Sequence, residues 1–453
     1  MIIALLLLYL IGGVSVITLC EGKVKTSLYQ QIAAGMIIGM GLGSLVPLLL
    51  TLVGVGLSRN SILILTLVVT LIPLVWVVFK GKIADMVPDI NQFVVHIYEF
   101  PFLLLVGYFL SVSVWKCYYY PNIPFDTLVG ADLVAKASFM EGTLANSVYK
   151  DFLPTTFGLS NQPYYAPFTM LMEVIFLFGG SLFGKLWLSI LVVSFWIFFY
   201  FELRHYVHPL LAGVLALFAF YSPEMYAYTF LVQTDYANAI FLFVSVAFLY
   251  RFVHNEGNGY LVLSALLFGL ACWTRTETIF FGPLIALVLV LNAPMSFAVK
   301  YSLLFAAIGI FLIVLWNYIF LGNMVPKPIV LGEFRFLRED YLGELVKTVK
   351  SMNTFVFNKN YWGYSATVPL ILLVANLLLF RKKTSLEKWI WPLGVYLIFL
   401  LIILHVYGAN VQFTFRRGFF KIILLLYLMV ASSGLFEFIS EKLSAKVARP
   451  SNS

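Results

Sequence analysis

The chain has 453 residues, of which 62% are hydrophobic and 11% charged, and its formal net charge is +8. A soluble protein has about 45–50% apolar and about 25% charged residues, so this composition excludes a soluble globular enzyme. The 43 Phe, 26 Tyr and 9 Trp also exclude a disordered chain, which lacks the apolar surface that these side chains supply. We therefore predict an all-α polytopic transmembrane bundle of about 13–14 helices.

Fourteen apolar stretches are candidates for membrane crossings, which need about 20 residues for a hydrocarbon core of ~30 Å. The first opens MIIALLLLYL, without a positive region or a cleavage site of small residues, so we expect a retained helix there. In the second stretch, Gly35, Gly39 and Gly43 share one helix face and predict close helix packing. The stretches lie near residues 1–20, 32–56, 61–79, 100–116, 164–180, 184–201, 210–222, 236–252, 260–273, 278–294, 301–320, 365–380, 389–407 and 418–440.

Basic residues predict the orientation of the bundle. Lys and Arg gather on the cytoplasmic side of membrane proteins, so the cluster at 381–388 and the tail 441–453 are placed in the cytoplasm. This distribution explains the net positive charge of the chain, so no nucleic-acid partner is expected. Counting back from this cluster puts two sizeable loops, 117–163 and 321–364, on the extracytoplasmic side.

This topology leaves one ambiguity. Residues 117 and 235 should both lie outside, which requires an even number of crossings between them, but three apolar stretches lie there. Either 164–180 is a re-entrant or shallow helix, or 223–234 crosses as well.

We predict three parts in the chain: extra N-terminal helices (1–99), a transmembrane core with both outer loops (100–440) and a cytoplasmic tail (441–453).

Ionisable residues near a membrane are costly and tend to mark function. The predicted outer side collects Asp126, Asp132, Glu224, Asp235, Arg275, Glu277, Arg416 and Arg417.

Two acids in the first outer loop are candidates for a catalytic base. The pattern from 127 to 141 predicts an amphipathic helix that stops at Gly142, and Asp126 occupies the position of an N-cap. Asp126 is either only that cap or a general base that takes a proton from an acceptor hydroxyl. Asp132, six residues further on, either shares this site or lies on a solvated helix face.

Arg416 and Arg417 are adjacent at the outer end of a span, against the usual distribution of basic residues. Because the guanidinium group matches phosphate geometry, a lipid phosphate or pyrophosphate is the expected partner, and an anchor in the lipid headgroups is the alternative.

Arg275 and Glu277 either form an ion pair that holds a tight turn or belong to the site. The carboxylate of Asp235 suits the start of a helix, which alone could explain it.

The sequence does not indicate a particular cofactor. Tyr164 and Tyr165 either stack on sugars or belong to the interfacial aromatic belt, and the belt is the simpler interpretation. No nucleotide-binding motif occurs, and the paired His205 and His208 lack the Cys or carboxylate partners of a metal site. A divalent metal therefore stays open but is not indicated by any residue pattern.

Four features resemble the GT-C class of membrane glycosyltransferases, polytopic enzymes that take a sugar from a polyprenyl-phosphate donor on the non-cytoplasmic face. They are the first outer loop from Asp126 through Glu141-Gly142 to Pro163-Tyr-Tyr-Ala-Pro167, the turn Thr274-Arg275-Thr-Glu277, the stretch Gly322-Asn-Met-Val-Pro326-Lys-Pro328, and Arg416-Arg417 before the last span. The likeness covers residues 100–435. One departure is that Asp126 is followed by Thr127, where this class often has a second acid.

The resemblance implies a mechanism and its partners. Asp126, or else Asp132, would be the base, and Arg416 and Arg417, with Arg275 or Lys327, would stabilise the departing lipid phosphate. The partners would be a polyprenyl-phosphate sugar, a glycan, lipid or protein acceptor, and membrane lipid. The protein would be multi-pass in the cytoplasmic (inner) membrane, with its active site on the extracytoplasmic side.

Two other functions remain open at this point. An O-antigen ligase or oligosaccharide polymerase also uses lipid-linked glycans at this face, but would require basic residues and no essential carboxylate. A secondary transporter or flippase for lipid-linked glycans is less well supported, because the sequence has no internal repeat and its polar residues cluster at one face.

Overall fold

The computed structural model describes residues 1–21, 27–86, 95–151, 165–324, 340–380, 386–406 and 408–447. The regular elements in these ranges are helices, which confirms the all-α prediction. The N-terminal group consists of α1 (Ile2–Cys20), α2 (Leu28–Gly43), α3 (Val46–Leu52) and α4 (Arg59–Phe79).

Two short 3-10 helices (Ile83–Met86 and Ile97–Glu99) follow, and the described part of residues 100–253 contains nine α-helices. The elements are α5 (Phe100–Tyr119), α6 (Phe125–Leu128), α7 (Ala131–Glu141), α8 (Ser147–Asp151), α9 (Phe168–Gly179), α10 (Leu186–Tyr206), α11 (Pro209–Phe220), α12 (Pro223–Ala227) and α13 (Thr234–Val253). The remaining elements are α14 (Gly259–Thr274), a 3-10 helix (Thr276–Phe281), α15 (Gly282–Asn292), α16 (Met295–Val314), a π-helix (Leu315–Phe320), α17 (Leu321–Met324), α18 (Tyr341–Val356), α19 (Lys359–Trp362), α20 (Thr367–Leu379), α21 (Leu386–His405), a second π-helix (Val411–Phe415), α22 (Arg416–Ala431) and α23 (Gly434–Val447).

The described residues include seven helices that are long and apolar enough to cross a membrane. An eighth is added if Val411–Ala431 and Gly434–Ala445, which are bent by 52° relative to each other, form one span. Six further apolar helices are shorter, with 10–17 residues. Each of the fourteen predicted stretches therefore coincides with an apolar helix, and the chain has the form of a polytopic membrane bundle.

The N-terminal helices pack at very short range, as the glycine spacing predicts. A Cβ atom added at Gly39 would lie 1.9 Å from the carbonyl oxygen of Tyr9, and one added at Gly35 would lie 2.7 Å from a methyl carbon of Val14. Any larger residue would force α1 and α2 apart. The indole of Trp273, at the end of α14, donates a hydrogen bond to Ser44 Oγ at 3.0 Å, so α2 also packs on the core.

The contacts of α9 favour one solution to the ambiguity in topology. The carbonyl of Phe178, at the end of α9, accepts a hydrogen bond of 3.0 Å from Arg59 at the start of α4. Phe168, at the beginning of α9, packs edge-on against Trp187 in the first turn of α10. Both ends of α9 therefore lie towards the same end of the bundle, as expected for a shallow helix.

The segment 223–234 stays at that same end. Thr127 Oγ1 donates to the carbonyl of Val232 at 2.6 Å, and Ser222 Oγ donates to the carbonyl of Tyr361 at 3.3 Å. We call this end of the bundle, which carries Asp126 and Asp235, the site face, and the other end the opposite face.

In the first outer loop, the two short helices α6 and α7 replace the single helix that was predicted from 127 to 141. α6 stops at Leu128, and α7 begins at Ala131 after a break at Gly130, whose backbone is not helical. The predicted stop at Gly142 is confirmed, because this residue ends α7 in the left-handed region at φ +67°. The described part of the second outer loop contains α17, α18 and α19.

Candidate functional site

Four segments of the chain bring charged side chains together on the site face. They are the start of α6, the segment that leads through α12 into α13, the turn after α14 and the first turn of α22. The four segments are far apart in sequence, so only the packing of the bundle assembles the cluster.

The first contact joins the predicted base to the predicted phosphate site. Arg417 Nη2 lies 3.1 Å from Asp126 Oδ2, and these two residues are 291 positions apart in the chain. Asp126 lies in the first turn of α6, whose N-cap residue is Pro124, so the interpretation of Asp126 as the N-cap does not hold. The Asp126 side chain is 39% exposed and that of Arg417 is 22% exposed, so both remain accessible from outside.

Arg416 has different partners from its neighbour. Its Nε donates to Glu224 Oε1 at 3.1 Å, and its guanidinium carbon lies 4.2 Å from the ring centroid of Tyr361. Burial raises the pKa of the Glu224 carboxyl above its ordinary value, and the positive charge of Arg416 offsets part of this increase. The two adjacent arginines are therefore fixed by separate carboxylates.

Arg275 bridges two acids in a more buried part of the cluster. It forms an ion pair with Asp235, and its Nε lies 2.8 Å from Glu277 Oε1. The Asp235 side chain is only 2% exposed, whereas that of Glu277 is 25% exposed. The ion pair predicted for Arg275 and Glu277 is present, and Asp235 extends it to the start of α13.

Lys421 is a further member that sequence reasoning missed. It lies one helical turn after Arg417 on α22, is buried, and its Nζ lies 3.8 Å from Glu277 Oε1. Its only sequence signal was a lysine inside an apolar run, which by itself is a reason to suspect function. Arg417 and Lys421 both lie within electrostatic range of Asp235, so the members form one continuous network.

The remaining predicted residues fall in three places. Tyr165 lies within electrostatic range of Arg275, at the edge of the cluster. Tyr164 and Lys327 lie outside the described residues. Asp132 belongs to a separate, buried group, in which it pairs with Lys136 at 2.7 Å and accepts a hydrogen bond from Asn122 at 3.0 Å.

The site-face cluster combines four basic and four acidic side chains, so its formal charge is balanced. A ligand phosphate would compete with a carboxylate for an arginine, and the released carboxylate would become free to accept a proton. In the described ranges, no group of three or more His, Cys, Asp or Glu side chains is placed to hold a metal ion. The members are Arg275, Arg416, Arg417 and Lys421 with Asp126, Glu224, Asp235 and Glu277.

Comparison with known proteins agrees with the resemblance seen in the sequence. Residues 162–319 match the sequence profile of the dolichyl-phosphate-mannose-protein mannosyltransferase family, whose domain is of the GT-C type. Searches of curated proteins and of solved structures give no significant match. The match supports a multi-pass membrane glycosyltransferase of the GT-C type.

The matched range contains only half of the cluster. Glu224, Asp235, Arg275 and Glu277 lie within it. Asp126 and the three basic residues of α22 lie outside it, and the packing described above brings them to the same place.

Proposed function

We propose that this chain transfers a sugar from a polyprenyl-phosphate donor to a hydroxyl group of a glycan, lipid or protein acceptor. The reaction would take place on the extracytoplasmic side of the cytoplasmic membrane. The observation that carries this proposal is the contact of 3.1 Å between Asp126 and Arg417, which joins a carboxylate to a pair of arginines on one face of the bundle.

Exposure supports Asp126 as the general base. A base must come within hydrogen-bond reach of the hydroxyl that it deprotonates. Among the four acids of the cluster, the Asp126 side chain is the most exposed at 39%, against 25% for Glu277, 10% for Glu224 and 2% for Asp235. Asp132 is only 3% exposed and belongs to the separate buried group of Asn122, so it is the weaker candidate.

The arginines suit the charge that develops on the leaving group. A sugar phosphodiester carries one negative charge, and the lipid phosphate that departs carries up to two, so donors placed beside it stabilise the transition state. Arg416 and Arg417 stand at the start of α22, with Arg275 beside them, and Lys327 is an additional candidate from the second outer loop.

The proposed step moves one proton and exchanges one bond. The acceptor oxygen attacks the anomeric carbon as its proton passes to the Asp126 carboxylate, and a new C–O bond forms. The bond between the anomeric carbon and the phosphate oxygen breaks, and its electron pair leaves with the lipid phosphate. Attack from the side opposite the leaving group would invert the anomeric configuration.

The basic residues of the opposite face support the proposed sidedness. Lys82, near the end of α4, donates to the carbonyl of Thr18 at 3.2 Å, and Arg204 at the end of α10 pairs with Glu99. Together with the basic segment 381–388, these residues support a cytoplasmic location for that face and an extracytoplasmic one for the cluster.

The test compares the purified wild type with Asp126→Asn, using radiolabelled polyprenyl-phosphate sugars and crude envelope acceptors. The control is Glu141→Gln, an exposed acid of the same outer loop whose described contacts are with Ser147. We expect donor-dependent labelling in the wild type and in Glu141→Gln, and a loss of about 10²–10⁴-fold in folded Asp126→Asn.

Two outcomes would change the proposal. Full activity in Asp126→Asn combined with loss in Asp132→Asn would move the base to Asp132. Failure of the wild type to consume any polyprenyl-phosphate sugar across the panel would overturn the proposed reaction.

A further inference from the structure

A second polar group lies beneath the first outer loop, away from the charged cluster. It is built around Asn122, whose Nδ2 donates to Asp132 Oδ1 at 3.0 Å and to Glu173 Oε1 at 2.9 Å. Asn122, Asp132 and Glu173 are 6%, 3% and 0% exposed, so this group is closed to an acceptor substrate.

The backbone beside Asn122 is tied down as well. Lys185, at the start of α10, donates from Nζ to the carbonyl of Pro121 at 3.0 Å and towards that of Phe230 at 3.4 Å. Thr127 Oγ1 bonds the carbonyl of Val232 at 2.6 Å. The segment 121–127 is thus fixed at both ends against 230–232, which leads directly to Asp235.

Asp126 needs such support, because its own helix cannot supply it. α6 is a single turn of four residues without a side-chain cap at Pro124, and a helix this short depends on contacts with the rest of the fold for its stability. Hydrogen bonds between buried polar groups are strong because the local dielectric constant is low, so the two bonds from Asn122 Nδ2 restrict its position, although Asn122 Oδ1 and Glu173 Oε2 have no hydrogen-bond partner among the described residues. Here the network joins the entry to α6, the first turn of α7 and the middle of α9.

We propose that Asn122 and Glu173 are positioning residues that hold the segment 121–127 so that Asp126 stays beside Arg417. This inference rests on the proposed function, since it assigns the group a role in placing the base. A displacement of the base by about 1 Å is enough to cost on the order of 10²-fold in rate.

The test uses Asn122→Ala with Asn146→Ala as its matched control. Asn146 is also a buried asparagine of this loop, and its Nδ2 also donates two bonds, to Ser138 Oγ at 2.8 Å and to the carbonyl of Val134 at 3.3 Å. Asn146 Oδ1 also accepts a hydrogen bond of 3.0 Å from the backbone N–H of Val148, and none of its bonds goes to the segment 121–127. Both variants lose similar interactions, but only one of them releases the segment that carries the base.

We expect Asn122→Ala to lower kcat by about 10–100-fold with little change in the donor KM, because the arginines on α22 are untouched. Glu173→Leu should behave in the same way. Glu173→Gln, whose amide oxygen still accepts from Asn122, should retain most of the activity. Asn146→Ala should lose comparable thermal stability but keep its kcat.

A loss of kcat in Asn146→Ala equal to that in Asn122→Ala, or a parallel rise in the donor KM, would overturn the positioning role. Amide hydrogen exchange over 122–130 gives a readout that does not depend on activity. It should accelerate in Asn122→Ala and not in Asn146→Ala, and unchanged exchange would also overturn the inference. If the wild type transfers no sugar but this exchange pattern appears, then the proposed function fails while the structural part of the inference stands.

Discussion

The two ends of the bundle each carry a network of ion pairs, but the networks differ in how deeply they are buried. On the opposite face, Arg251 lies 2.8 Å from Glu202 and 3.9 Å from Glu256, and the three side chains are only 2%, 0% and 8% exposed. On the site face, Arg417 and Asp126 are 22% and 39% exposed. The pair of Arg251 and Glu202 is therefore closed to solvent, whereas the pair of Arg417 and Asp126 is accessible to a ligand.

The partners of the two networks also differ. Gln30 of α2 donates to Glu202 at 2.9 Å, so the network of the opposite face fastens the N-terminal helices to α10 and α13. The site-face network instead joins loops and helix ends. A cluster of charges does not by itself mark a functional site, and exposure together with its attachment to loops separates the two cases.

The sharpest test of this difference is Arg251→Met. Removal of one partner from a buried pair leaves Glu202 uncompensated and costs about 3–5 kcal/mol. We expect the variant to unfold at a much lower temperature in detergent, or to fail to accumulate. Arg417→Met is the control and should change the unfolding temperature far less, since its site is partly hydrated. Equal stability of Arg251→Met and the wild type would remove the distinction between the two networks.

The converse test is Arg417→Gln, which should affect the reaction and not the fold. Loss of one donor to a developing oxyanion typically lowers kcat by about 10²–10³-fold. Transfer from a radiolabelled polyprenyl-phosphate sugar is measured beside the unfolding temperature. Lys347→Gln, which removes an exposed cation of α18, is the control and should keep full activity. An inactive Lys347→Gln, or an active Arg417→Gln, would contradict the assignment of the phosphate site.

The close contact between α1 and α2 predicts a smaller effect on stability. Gly39→Ala places a methyl group within 1.9 Å of a backbone oxygen, and overpacking of this kind costs about 1–3 kcal/mol. Gly107→Ala is the matched control, because a Cβ atom there meets no atom within 4 Å and alanine favours the helix. The unfolding temperature should fall only in Gly39→Ala. A fall in Gly107→Ala as large as that in Gly39→Ala would show that helix packing is not the cause.

The weakest expected effect is a pH dependence at the opposite face. Burial raises the pKa of Glu256, but the hydrogen bond from His205 at 3.3 Å and the charge of Arg251 outweigh it and hold the pKa below 4.5. A depressed folded-state pKa stabilises the protein above the unfolded value, and this stabilisation is lost as the pH falls through the folded value. The unfolding temperature should therefore decline below pH 4.5, and less steeply in Glu256→Gln. An identical slope in the wild type and Glu256→Gln would exclude this contribution.

The sequence predicted the helical class because apolar runs of span length have few alternatives in a membrane. It also indicated the close packing at Gly35, Gly39 and Gly43, since small residues at four-residue spacing share one face. The shallow position of α9 could not be decided from the sequence, because a mostly apolar helix of twelve residues suits a short span and a shallow helix equally well. Only the contacts of Phe168 and Phe178 favour the latter.

The candidate site was predictable only in part. Arg416 and Arg417 stood out by their position, and Asp126 by its place in the loop, but their pairing across the fold follows from tertiary packing. Asn122 and Lys185 gave no signal, since a lone asparagine or lysine at a loop boundary is usually solvated. Lys421 and Glu173 did carry a sequence signal, because a charged residue inside an apolar run is costly and tends to mark function.

The separation of Asp126 and Arg417 has a consequence for biogenesis. These two side chains are 291 residues apart, and the arginine belongs to one of the last helices to be made. At synthesis rates of about 5–20 residues per second, roughly 15–60 s pass between their emergence from the ribosome. Throughout that interval the loop with the acid has been made while its basic partner does not yet exist. The ion pair between Asp126 and Arg417 therefore cannot form before α22 has been made, so the proposed site is assembled well after the loop that carries its acid.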